Sequence, residues 1–205
     1  MYAEAALVKK QLNDTKNLPS GVLKISEHIT LGAFCLMPRI ARFNTLYPKL
    51  SIELNLTDSE VDLSLGDSCV ALRYPVVEWP GLVRKPLKTI GFYLYASTSY
   101  LLTSGPPGRS EDLDDHRLIA YSRSMTAEDH KQFNWVLRAG NKTGRVPVLQ
   151  VDNLYACYLA VKNGLGIGVL PEYFAWDAEN IERVFRDFIY EELSHATNGA
   201  PPKKP

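Results

Sequence analysis

"DNLYACYLAVKNGLGIGVLPEY", residues 152–173, sets three glycines within five positions, and their order relative to the flanking elements decides how the chain is read. A dinucleotide-binding loop needs its glycines to leave a strand and open a helix, so that free N–H groups at the helix N-terminus point at the phosphate. Here the order is reversed. Asn153 can serve as N-cap, Leu154, Cys157 and Val161 recur at helical spacing, and Gly164 follows as a left-handed stop. Ile167, Val169 and Leu170 then form a short apolar run that Pro171 ends, which suits a buried strand. The glycines close a helix and turn it into a strand, so the stretch is read as a structural turn beside a cleft rather than as a phosphate loop.

The same helix-to-strand logic organises the chain upstream. "GVLKIS" (21–26) alternates as a strand, and "LGAFCLMPRIARFNTLYP" (31–48) is a predicted helix with Leu31, Phe34, Cys35, Ile40 and Phe43 on a buried stripe and a bend at Pro38. "KLSIELNLT" (49–57) alternates again, with Leu50, Ile52, Leu54 and Leu56 on one face. Strand, helix, strand at this length is a βαβ unit with a parallel sheet. Further on, "CVALRYP" (69–75) is expected as a buried strand and "LVRKPLKTIGFYLYAS" (82–97) as more strand. The pattern then restarts: "RLIAYS" (117–122) and "VPVLQV" (146–151) read as strands, and "QFNWVLRAGN" (132–141) as a strand or edge segment. Two α/β halves are expected, joined by extended segments near residues 92–97.

A chain of 205 residues can bury a real core. Its formal charge of zero encodes no broad attraction to nucleic acid or membrane. Cys35, Cys69 and Cys157 are odd in number, widely spaced and set in apolar runs, which fits reduced structural thiols. No apolar run approaches the roughly 18 residues of a spanning helix, and no signal-peptide pattern is present, so a cytoplasmic location without membrane contact is expected.

These segments, in this order, resemble the effector-binding domain of LysR-type transcriptional regulators. "GVLKIS" resembles that domain's opening strand, "LMPRIARFNTLYPKLSIELNL" (36–56) its first helix and second strand, and "DSCVALRYP" (67–75) its next strand. "LYASTSYLLTSGPP" (94–107) followed by "DLDDHRLIAY" (112–121) is similar to the passage into its second subdomain, and residues 152–173 to its helix, glycine turn and strand. The resemblance implies an α/β fold of two Rossmann-like subdomains, like that of type 2 periplasmic binding proteins, with a small-molecule effector in the cleft between them. It implies subdomain I over residues 21–95, subdomain II over 96–184 and a helix over 185–196 returning to subdomain I. Residues 1–20 would be the end of a linker helix with its hinge, and 197–205 a disordered tail. It further implies a homodimer or homotetramer that reaches DNA only through an N-terminal winged helix-turn-helix, of which "MYAEAALVKKQLND" (1–14) resembles only the end of the linker. Three features depart from the family pattern. Lys24 stands where arginine is usual, Cys69 where aspartate is common, and "NIERVFRDFIYEEL" (180–193) runs the last strand of subdomain II almost directly into a helix marked by Phe188, Ile189 and Leu193.

The candidate ligand contacts start from two helix beginnings. "SEHIT" (26–30) joins the first strand to its helix, so Ser26, His28 and Thr30 are expected with free backbone N–H groups at the carboxyl edge of a parallel sheet, where α/β folds hold ligands. Asn153 begins a helix of the other half in the matching position. Two helix N-termini favour an anion, and a carboxylate is the economical choice. Ser26, Thr30 and Asn153 are equally expected as caps, and His28 as an ordinary polar loop residue. Arg73 can grip a ligand carboxylate or pair with Asp62 or Asp67. Tyr121 and Ser122 end a strand as cleft walls, and Ile167 either lines the cleft or packs in the core. A G-x-S-x-G elbow, an H-E-x-x-H pair and C-x-x-C spacing are all missing, so neither an enzyme, a metal site nor a cofactor is expected. "DLDDH" (112–116) reads as a solvated turn. A solute-binding protein or an enzyme on the same fold is the alternative to the regulator.

Overall fold

The computed structural model describes residues 19–59, 70–72, 83, 85, 87, 89–122, 133–141, 143–176 and 178–185. Arg73 and Cys69, residues 1–18 of the expected linker and residues 186–196 of the expected C-terminal helix lie outside these residues. The chain divides into two units between Lys88 and Thr89, ahead of the change expected at residue 96.

In the first unit, β1 (Gly21–Glu27) is flanked by β2 (Leu50–Leu56) on one side and β3 (Val70–Leu72) on the other, all parallel. The β1–β2 register runs from Gly21 opposite Leu50 to Glu27 opposite Leu56, as a βαβ unit requires. The period-two pattern of β2 is realised, with Leu50, Ile52, Leu54 and Leu56 more covered than the residues between them. The connecting helix α1 changes pitch along its length: Ile29–Leu31 is α, Gly32–Leu36 is π and Met37–Leu46 is α again. Pro38 sits in the first turn of the renewed α segment, where its missing N–H is tolerated, and the wide π turn lies just before it. The expected stripe of Leu31, Phe34, Cys35, Ile40 and Phe43 is only half-buried. Close packing comes instead through Gly32: a Cβ there would stand 2.3 Å from a methyl of Leu56. The described part of "CVALRYP" is a short strand whose first residue, Val70, is exposed rather than buried.

The second unit carries a five-stranded sheet in the order β6-β5-β7-β4-β8, formed by β4 (Phe92–Ser97), β5 (Leu118–Tyr121), β6 (Leu149–Val151), β7 (Ile167–Pro171) and β8 (Ile181–Arg183). β5 runs parallel to β6 and β7, whereas β4 is antiparallel to β7 and β8. All of β4 therefore belongs to this sheet, although its residues were expected to join the two halves. Its core includes Leu94, Leu118, Ile119, Val161 and Leu170, each essentially inaccessible to solvent.

Helix α2 (Thr98–Ser104) is capped by Ser97, whose hydroxyl accepts the Tyr100 N–H at 3.1 Å. The glycine-rich stretch behaves as its order dictates. Helix α3 (Leu154–Lys162) starts at the Asn153 cap, Gly164 takes φ +77° after its end, and β7 follows with every residue buried.

The segment "QFNWVLRAGN" is not a strand; its described part forms a 3₁₀ turn at Trp135–Leu137. The physical reason is a side chain that imitates a strand. The buried Asn134 accepts the Tyr121 N–H through Oδ1 and donates from Nδ2 to the Tyr121 carbonyl, both at 2.7 Å, so a side-chain amide makes the bonds of a ladder at the end of β5. Asn134→Ala removes both of these bonds to Tyr121, with an expected loss of about 2 kcal/mol in urea unfolding.

At the other end of β5, the Arg117 N–H donates to the Tyr100 hydroxyl, which lies 3.0 Å from His116 Nδ1. Burial holds the His116 pKa below its ordinary 6.5, against the opposing pull of Asp115 and Asp112. The folded state thus prefers the neutral ring. Its contribution to stability is complete above the unfolded value and is lost as pH falls through the lower folded value. The unfolding midpoint is expected to drop on going from pH 7 to pH 5, and by less in His116→Gln. Cys157 is fully buried, and burial pushes its thiol up to about 12, which fits the expected structural role.

Candidate functional site

In the first unit the polar end of the sheet is the carboxyl end of β1 and the start of α1. Ser26, Glu27 and Thr30 are all buried. Contrary to the expectation of free N–H groups, the first two at this helix start are taken by carboxylates of the chain itself. Glu27 Oε1 accepts the His28 N–H at 2.8 Å, and Asp58 Oδ1 accepts the Ile29 N–H at 3.1 Å. His28 is the N-cap by backbone position, but its side chain makes no capping bond; its Nδ1 lies 3.4 Å from Asp58 Oδ1. These acids stabilise the helix start through its dipole and leave this end acceptor-rich. Neither Glu27 nor Asp58 was singled out from sequence. The signal was a carboxylate closing an apolar strand in "KISE", a placement that exposed strand ends also show.

In the second unit the corresponding end lies past the carboxyl termini of the parallel strands β5 and β6. Ser122, half-buried, follows β5, and its N–H donates to the Val151 carbonyl at 2.7 Å. Asn153 follows β6 and caps α3: its Oδ1 accepts the Ala156 N–H at 2.8 Å, and its Nδ2 donates to Asp152 Oδ1 at 3.1 Å. Ser122 and Asn153 therefore stand at the same edge of one sheet. Tyr121 does not form a wall there. It is completely buried, with its backbone held by Asn134 and its hydroxyl donating to the Val169 carbonyl at 2.9 Å. Ile167 is also core, and the parallel register sets it beside Leu118, at the opposite end of the sheet from Ser122. Asn134, missed from sequence, is the residue that fixes the end of β5 from which Ser122 projects.

Hydroxyl, imidazole and carboxylate groups stand at the strand end of the first unit, and hydroxyl and amide groups at that of the second, which is the chemistry of hydrogen-bonded recognition in each. Among the described residues no cluster of His, Cys, Asp and Glu could hold a metal ion, and no helix is long and apolar enough to cross a membrane.

Comparison with known proteins gives one consistent result. Residues 16–196 match the family model described as the LysR substrate binding domain. An uncharacterized HTH-type transcriptional regulator of Haemophilus influenzae is 32% identical over 156 residues, covering 75% of this chain and 52% of the relative. The probable HTH-type transcriptional regulator LtrA of Klebsiella pneumoniae is 32% identical over 166 residues, covering 80% of this chain and 52% of the relative. The chain thus spans about half the length of these curated relatives. Among solved structures, the regulatory domain of CrgA from Neisseria meningitidis superposes with a TM-score of 0.68 at 22% identity, covering 81% of both chains. The effector domain of AmpR from Pseudomonas aeruginosa gives 0.62 at 21% identity, covering 81% of this chain and 79% of that one.

Proposed function

The chain belongs to the LysR substrate-binding domain family, and from that premise we propose that it is the effector-sensing and oligomerising part of a cytoplasmic transcription regulator rather than a solute-binding protein or an enzyme. A small metabolite binds at the polar strand ends, and its preference for one arrangement of the protein shifts the population of dimer or tetramer geometries. The DNA-binding domains are carried by the remainder of the full-length regulator.

One observation carries the assignment of the site: Ser122 and Asn153 share the carboxyl edge of parallel strands, where open α/β sheets hold ligands. The Asn153 cap and the N-terminal N–H groups of α3 suit a carboxylate there. In the first unit, Glu27 and Asp58 already occupy the first N–H groups of the helix start, so Ser26, His28 and Thr30 suit neutral or donor groups of a ligand. Arg73 is retained as a candidate partner for its charge.

Thermal unfolding against small carboxylates, amino acids and sugar phosphates tests the reading. A ligand at about 100 times its Kd adds roughly 2.7 kcal/mol, and a selective rise in Tm from one carboxylate class is expected. No rise from any compound contradicts it. Asn153→Ser keeps a capping oxygen and removes the amide donor, so it is expected to leave the ligand-free Tm nearly unchanged and weaken that carboxylate by about tenfold.

A further inference from the structure

We propose that the β4–β8 border of the second unit is a binding position for an organic carboxylate, with the Arg183 guanidinium as its receptor. β8 is the outer strand of the five-stranded sheet, at the opposite border from β6 and the Asn153 cap that follows it. The position is therefore separate from the effector site above and does not depend on that reading.

The antiparallel register sets Arg183 opposite Tyr95, and strand alternation brings Tyr93 to the same face. The guanidinium carbon of Arg183 lies 3.5 Å from the centre of the Tyr93 ring, the distance of flat stacking. Stacking engages the face of the guanidinium and leaves its N–H groups, which lie in the plane, to find acceptors elsewhere. Nε is buried and has no hydrogen-bond acceptor among the described residues. The ion pairs formed among the described residues involve Lys24, His28, Arg109 and Arg145, and none involves Arg183.

An arginine held by one ring, its guanidinium in no ion pair among the described residues, has the donor set that takes both oxygens of a carboxylate side by side. Charge around it is compatible with an incoming anion. Burial pushes the Tyr95 hydroxyl up to about 12, so it stays neutral and able to donate. Alternation turns the exposed Glu182 to the other face of β8. Glu172, the acid that acts on Tyr95, forms no ion pair with Arg183 among the described residues. The half-buried Tyr93 ring supplies apolar surface beside the guanidinium.

Sodium benzoate is the probe, titrated at constant ionic strength against sodium chloride while the Arg183 Nε–H resonance is followed by NMR, with inorganic phosphate titrated in parallel. Benzoate is expected to move that resonance saturably, and phosphate more weakly. Arg183→Lys keeps the charge but loses the fork, so benzoate binding followed at the neighbouring amides of β4 should weaken by about tenfold with an unchanged circular dichroism spectrum. Tyr93→Leu, which removes the stacked ring, gives a second reading on the arginine resonance itself. A shift no larger than that from chloride, a preference for phosphate, or unaltered benzoate affinity in the folded Arg183→Lys protein would overturn the proposal.

Discussion

Gly166→Ala is expected to cost about 3 kcal/mol, at the upper end of what overpacking normally costs. A Cβ at this position would stand 2.2 Å from the Arg117 carbonyl oxygen, which is backbone and cannot rotate away. That same oxygen accepts the Ile167 N–H at 2.8 Å, the bond that aligns β7 with β5. The clash therefore forces the two central strands apart where they first pair. Gly164 makes an instructive contrast: its surroundings leave room for a Cβ, with nothing closer than 3.4 Å, and its constraint is the positive φ alone. Gly164→Asn, which tolerates that conformation, is expected to cost much less than Gly166→Ala. Chemical denaturation of the two variants separates close packing from backbone conformation as reasons for a glycine.

Arg145→Ala should also lower stability by about 3 kcal/mol, through the loss of its bonds to three backbone carbonyls. The Arg145 side chain is 5% exposed. Its Nη1 donates to the Val136 carbonyl at 3.0 Å and to that of Ala139 at 2.6 Å, and its Nη2 donates to the Ser110 carbonyl at 2.8 Å. Its Nε donates to Asp114 Oδ1 at 2.6 Å. Hydrogen bonds from Asn141 and Arg145 hold the Asp114 carboxyl below the usual range. Asp114 is more than half exposed, however, so its charge is screened by water. Asp114→Asn is therefore expected to have a far smaller effect than Arg145→Ala. Equal losses in the two variants, measured by urea unfolding, would show that the ion pair, not the carbonyl contacts, holds residues 134–145 to the turn at Ser110–Asp115.

What could be read from sequence follows a physical divide. The alternation of β2 and the Asn153-to-Gly164 helix were legible because each depends on neighbours close in the chain: a period of two, a cap and a left-handed stop. "QFNWVLRAGN" was misread because the pairing it makes uses the Asn134 amide, and no local pattern distinguishes an asparagine that completes a ladder from one that solvates a loop. The anion-ready N-terminus of α1 was misread for a similar reason. Asp58 reaches Ile29 from the far end of β2, a contact that exists only once the parallel register has formed. Ile167 shows the limit in the other direction. Its place in an apolar run was clear, but which end of the sheet it occupied awaited its pairing with Leu118.

An effector held at the strand ends that carry Ser122 and Asn153 is the central proposal, and residue-resolved NMR tests it most directly. Backbone amide resonances would be recorded before and after saturation with the carboxylate that raises the Tm most. The largest saturable changes are expected at Ser122 and at Asn153 through Ala156. Changes confined to residues away from these strand ends, with those amides unmoved, would contradict that placement.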